Sequence, residues 1–100
     1  MDFLRKWLVG RDLKRARALE GEGYLERALS VYESCLEMAN PAERVVALRG
    51  IGSCGLRLGK LARAREALAE CVKLAPGDPD ALLLLAQVQM ELRDTLGAEE

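Results

Sequence analysis

Three thiols, at Cys35, Cys54 and Cys71, are the strongest nucleophiles and softest metal ligands in a chain that contains no histidine. Without imidazole, His-based general acid–base chemistry, His metal ligation and Ser–His or Cys–His pairing are unavailable. The cysteines are odd in number, widely spaced and include no C-x-x-C, so their spacing fits neither a disulfide framework nor a zinc site. Reduced, buried thiols are the simpler reading, with Cys54 of chemical interest only if exposed. Asp and Glu are plentiful but scattered, as expected of solvated helical faces rather than a paired acid–base site. Gly50, Gly52 and Gly55 lie in a helical pattern rather than after a strand, so they do not form a phosphate-cradling loop. These residues predict no catalytic site, no metal site and no cofactor.

The elements that must position the remaining candidates are helices. Ala, Leu, Glu and Arg dominate the 100 residues, Thr occurs once, and half of the residues are apolar, enough for one ordinary core. The net charge of -1 conceals a basic N-terminus, because residues 1 to 18 sum to +4 and the rest to -5. That cluster is too local, and too poor in interleaved aromatics, to predict nucleic-acid binding. The longest apolar run, Ala81 to Ala86, is far shorter than a membrane span, and positions 2, 5 and 6 are charged where a signal peptide needs an apolar stretch. A cytoplasmic location is expected.

Sliding the chain by 36 residues aligns Gly23-Tyr24-Leu25-Glu26-Arg27-Ala28-Leu29 with Gly59-Lys60-Leu61-Ala62-Arg63-Ala64-Arg65, then Tyr32 with Leu68, Cys35 with Cys71, Leu36 with Val72 and Met38 with Leu74. A breaker follows each block, Asn40-Pro41 and Pro76-Gly77-Asp78-Pro79, where proline ends a helix. Within the blocks the apolar residues recur at three- and four-residue steps, which predicts amphipathic helices. Upstream of the second block, Val45, Val46, Leu48, Ile51, Gly52, Gly55, Leu56 and Leu58 form a further helical pattern. Its glycines each cost about 1 kcal/mol relative to alanine in an isolated helix. Close backbone packing, with Ala28 and Ala64 as small partners, would offset that cost, so Gly52 and Gly55 are read as packing glycines.

On these marks the chain resembles the tetratricopeptide repeat family, whose period is 34 residues and whose pattern sets small against large positions. Val45 to Asp78 is one such unit, carrying Leu48, Ile51, Gly52, Gly55, Gly59, Ala64, Leu68, Cys71 and Pro76. A first unit from about Val9 offers Ala16, Leu19, Gly23, Ala28, Tyr32 and Cys35. A partial third from Pro79 offers Leu82, Leu85, Ala86 and Ala98. The expected fold is all-α: antiparallel helix-turn-helix repeats over 9–44, 45–78 and 79–100, five to six helices stacked as a short right-handed superhelix, preceded by a short amphipathic helix or cap at 1–8.

The resemblance implies an adaptor or scaffold that binds another protein, as peptide or helix, on the concave surface made by the first helix of each pair. Helical spacing puts Arg49, Ser53 and Arg57 on one stripe beside Leu56, with Leu13, Arg17 and Glu20 before it and Leu83, Gln87, Met90 and Glu91 after it. The expected groove is Arg17, Arg49, Ser53, Leu56, Arg57, Leu83, Gln87 and Met90, suited to an acidic segment with apolar anchors. Simple solvation of Arg49 and Arg57 is the alternative. A subclass of the family captures a C-terminal carboxylate with mostly basic positions, but these are Leu13, Arg17, Gly50, Asp80 and Leu84 here, so that ligand is not expected.

Phe3, Leu4, Trp7 and Leu8 share a helical face, with three readings open: a cap packed on the first repeat, a partner-docking helix, or a membrane-surface anchor. The nearly all-round apolar Leu82 to Met90 stretch lacks a covering helix of its own repeat, and self-association through this face is a secondary expectation.

Overall fold

A computed structural model describes residues 2–98 as five helices: α1 (Asp2–Gly21), α2 (Leu25–Cys35), α3 (Pro41–Leu58), α4 (Leu61–Leu74) and α5 (Pro79–Ala98). Short turns connect them, each helix packs on the next, and α3 also touches α1 and α5. The chain is a helical repeat solenoid in which α1, α3 and α5 alternate with α2 and α4.

The 36-residue sequence offset is a structural one. The α1–α2 turn is closed by the Tyr24 amide donating to the Leu19 carbonyl (2.9 Å), and the α3–α4 turn by the Lys60 amide donating to the Gly55 carbonyl (2.8 Å). Gly23 and Gly59 hold the turns at φ +91° and +79°, a left-handed conformation that side chains disfavour. The breakers then start the next pairs. Asn40 and Glu43 form a reciprocal capping box with Pro41 in the first turn of α3. The Asp78 carboxylate accepts from the Asp80 and Ala81 amides at the start of α5.

Two of the expected packing glycines sit where the sequence pattern put them. A Cβ on Gly52 would overlap the Leu68 side chain, and one on Gly55 would lie 3.1 Å from the Ala64 Cβ. Gly50 is a third such position, because a Cβ there would enter the Tyr32 ring. The core runs from Val9, Leu13, Ala16 and Leu19 through Tyr32, Leu48 and Ile51 to Ala81, and a second cluster joins Ala64 and Leu68 to Val88. Leu13, placed on the groove stripe by spacing, is therefore a core residue.

The N-terminal segment differs from expectation. Residues 2–8 and the first helix of repeat one form the single helix α1, with no break at Val9. The first buried residue is Val9, while Phe3 is 82% exposed and Trp7 54% exposed, so this face does not pack as a cap. Among the described residues, those facing opposite to Val9, Leu13 and Ala16 meet no neighbouring helix, whereas Arg5, one turn before Val9 on the packed side, donates to the Met38 carbonyl (2.6 Å) and pairs with Glu43 (2.9 Å).

Candidate functional site

The helices α1, α3 and α5 converge on a cavity of about 300 Å³. Its polar floor is built around Glu20, one turn beyond Arg17 on α1. The Tyr32 hydroxyl donates to Glu20 Oε1 (2.9 Å), and the Ser53 hydroxyl donates to Oε2 (2.6 Å). One carboxylate thus ties α1, α2 and α3 together. Burial, and next the Glu20 hydrogen bond, push the Tyr32 phenol above its ordinary range, so it stays a donor at every physiological pH. The apolar wall is Val46 from α3 with Leu83 and Leu84 from α5.

At the α3–α5 side, Arg49 donates to Asp78 Oδ2 (2.6 Å). Burial alone would raise the Asp78 carboxyl, but the Ala81 amide and Arg49 outweigh it and hold the group below its ordinary range. Asp78 is therefore anion, helix cap and ion-pair partner at once, and much of the Arg49 charge is compensated inside the protein.

Of the eight groove residues expected from spacing, the cavity brings together Arg17, Arg49, Ser53 and Leu83. The other four stand outside it. Leu56 is partly buried against the Ala64–Leu68–Val88 cluster, Arg57 is exposed at the end of α3, and Gln87 and Met90 lie exposed farther along α5. Spacing alone left Tyr32, Val46 and Leu84 out of the lining. Tyr32 reads as core by its periodicity, and it is core by its ring, but its hydroxyl reaches the groove between α1 and α3 because Gly50 leaves room. Among the described residues, Arg17 and Arg57 form no ion pair whereas Arg49 does, so the expected three-arginine surface reduces to one uncompensated cation at the cavity.

The three thiols lie in the core, not the groove. Burial, followed by the nearby Glu20 charge, pushes the Cys54 thiol up to about 11. Burial also raises Cys35 and Cys71, which leaves all three protonated and poorly nucleophilic at neutral pH.

The second surface singled out from sequence lies along the outer face of α1. Phe3, Leu4 and Trp7 are exposed, Leu8 is half-buried, and the Arg11 guanidinium stacks over the Trp7 ring at 5.2 Å. A shallow depression of about 360 Å³ there is lined by Lys6, Trp7, Gly10, Arg11 and Lys14. Among the described residues, no helix is long and apolar enough to cross a membrane.

Two family profiles, each described as tetratricopeptide repeat, match residues 13–41 and 45–88. The chain belongs to the tetratricopeptide repeat family. The matched segments coincide with the α1–α2 pair and with α3–α4 continuing into α5, and repeats of this family are non-catalytic protein-interaction units, so this is a protein-interaction module. The chain is also 33% identical over 87 residues to a protein from Arabidopsis thaliana described as protein CTR9 homolog, covering 86% of this chain and 7% of that protein. No solved structure matches the chain.

Proposed function

We propose that this tetratricopeptide repeat chain is an adaptor whose α1–α3–α5 groove holds a segment of a partner protein, as an extended peptide or a helix. The observation that carries the reading is the cavity itself. Three helices from three successive repeats meet at an apolar wall, Val46, Leu83 and Leu84, placed directly beside a hydrogen-bonded polar floor at Glu20 and Ser53. Leu83 is 60% exposed at that wall, an anchor point awaiting an apolar side chain.

An apolar anchor of the partner would supply most of the affinity, about 25 cal/mol per Å² buried before ordering costs. Arg17 meets a partner carboxylate, and the unused lone pairs of Glu20 accept a partner N–H, so the groove fixes direction as well as position. Compensation of Arg49 by Asp78 favours a segment with one acidic group over a strongly acidic one. Three buried, protonated thiols suit a reducing compartment such as the cytoplasm.

The test is affinity capture from lysate of the source, followed by titration of the recovered partner. Leu83→Asp and Arg17→Glu should each weaken binding at least tenfold, while Arg65→Glu, exposed on α4, leaves it unchanged. Equal binding by all three places the interaction away from the groove.

A further inference from the structure

The two ends of the solenoid are unlike each other in charge and alike in exposing apolar side chains. Along one exposed side of α5, Leu83, at the rim of the cavity, is followed by Gln87 and by Met90, which is 64% exposed, with Glu91 and Asp94 alongside. On the outer face of α1, Phe3, Leu4 and Trp7 are followed by exposed Arg11, Lys14 and Arg15. Overall α1 carries six cations against three carboxylates, whereas α5 carries Asp80, Glu91 and Asp94 against Arg93. Neither face is covered by another helix among the described residues.

From this complementarity we infer that the α5 face of one copy docks the α1 face of a second copy, so that the protein self-associates head to tail. Both helices are 20 residues long, about 30 Å at 1.5 Å per residue, so neither overhangs the other. First helices of successive repeats, α1 with α3 and α3 with α5, run in the same direction and pack side by side, and a second copy whose α1 takes the next such place lies parallel to α5. In a parallel register that sets Phe3 beside Leu83, Trp7 lies beside Gln87, Arg11 beside Glu91 and Lys14 beside Asp94. The apolar halves meet first along the helices and the opposite charges follow, while an antiparallel pairing sets the basic stretch of α1 against Leu82 and Leu83. Such a contact is heterologous, so assembly does not stop at two copies unless a ring closes.

The experiment is sedimentation velocity over a concentration series at low and high salt, with folding checked by circular dichroism. The wild type should grow beyond a dimer as concentration rises, and added salt should weaken it by screening the flanking charges. Arg11→Glu/Lys14→Glu and Glu91→Lys/Asp94→Lys, all at exposed positions, should each weaken self-association at least tenfold. Mixed together they should co-assemble, because the two unaltered faces attract each other and so do the two charge-reversed ones, and combining all four substitutions in one chain should restore assembly for the same reason. If a charge variant melts early, Trp7→Ser and Met90→Ser serve in its place, each weakening self-association while leaving the cavity lining intact.

A wild type that stays monomeric throughout overturns the inference. So does an α1 variant that associates like wild type, which indicates a two-fold α5–α5 contact, or a mixture that forms no complex. Monomer that instead pellets with phosphatidylcholine–phosphatidylserine vesicles through Trp7 assigns the α1 face to an anionic membrane and likewise overturns it.

Discussion

The α1–α2 and α3–α4 pairs share a turn down to its hydrogen bonds, yet their first helices live in different surroundings. Helix α3 lies between neighbours and buries Ala47, Leu48, Gly50, Ile51, Gly52, Cys54 and Gly55, whereas α1 buries only Val9, Leu13, Ala16 and Leu19 along one stripe. At the 36-residue offset, Ala16 and Leu19 of α1 stand where α3 has Gly52 and Gly55. An internal helix must admit neighbours from several sides and does so with glycine. A terminal helix has a free face, and in α1 that face carries Trp7 and the basic residues.

The sharpest way to break this contrast is to fill the internal helix. Gly52→Val drives its side chain into Leu68, which is fully buried and has nowhere to retreat, so overpacking of about 3 kcal/mol is expected, at the upper end of the usual range. That corresponds to a fall in melting temperature of roughly 12–24 °C for a domain of this size, measured by circular dichroism. A melting point within a few degrees of wild type would show that α3 and α4 can separate without loss.

A smaller effect is expected where the two pairs are joined. Tyr32→Phe removes one donor to Glu20 and should destabilise by about 1 kcal/mol, whereas Glu20→Ala leaves the deeply placed Tyr32 hydroxyl without its acceptor and should cost about 1–3 kcal/mol. The inequality is the test, read from urea midpoints. Equal losses would mean that water replaces Glu20 freely, and that the polar floor of the groove is solvent-organised rather than built.

The sequence displayed the repeat because repeats are made of local chemistry: turn glycines at Gly23 and Gly59, prolines at Pro41 and Pro79, and apolar residues at helical spacing. It displayed the packing of Gly52 and Gly55 for the same reason. Part of the cavity lining was legible too, since helix geometry alone puts Arg17, Arg49, Ser53 and Leu83 on the stripes that face it. The partnership of Arg49 with Asp78, 29 residues away, did not, because spacing along one helix says nothing of what the next turn brings near. Nor did the exposure of Phe3 and Trp7, which read as a cap only if α1 breaks before Val9; nothing at Gly10 or Arg11 ends the helix, and the apolar face stays with α1.

The start of α3 adds a pH-dependent term. The Asn40 amide, together with Arg5, holds the Glu43 carboxyl below its ordinary range against the effect of burial. A lowered folded-state value means stability that is present above the unfolded-state value, about 4.3, and lost as pH falls through the folded one. Wild type should therefore lose stability on acidification below about pH 4.5 more steeply than Glu43→Gln. Parallel pH profiles for the two proteins would remove the capping box from the account of why α3 starts at Pro41.

The mildest change returns to the free face of α1. Gly10 lies within the helix and a Cβ there would meet nothing within 4 Å, so Gly10→Ala should stabilise by about 0.5–1 kcal/mol through helix propensity and a less flexible unfolded chain. The opposite sign from Gly52→Val, for the addition of side-chain volume to glycines of two equivalent helices, is what their different surroundings require. A loss on Gly10→Ala in dilute solution would mean that something already packs against this face. If the gain seen when dilute vanishes at concentrations where copies associate, the face is open in the monomer and closed in the assembly, because the methyl then stands at the edge of the depression beside Trp7 and Arg11.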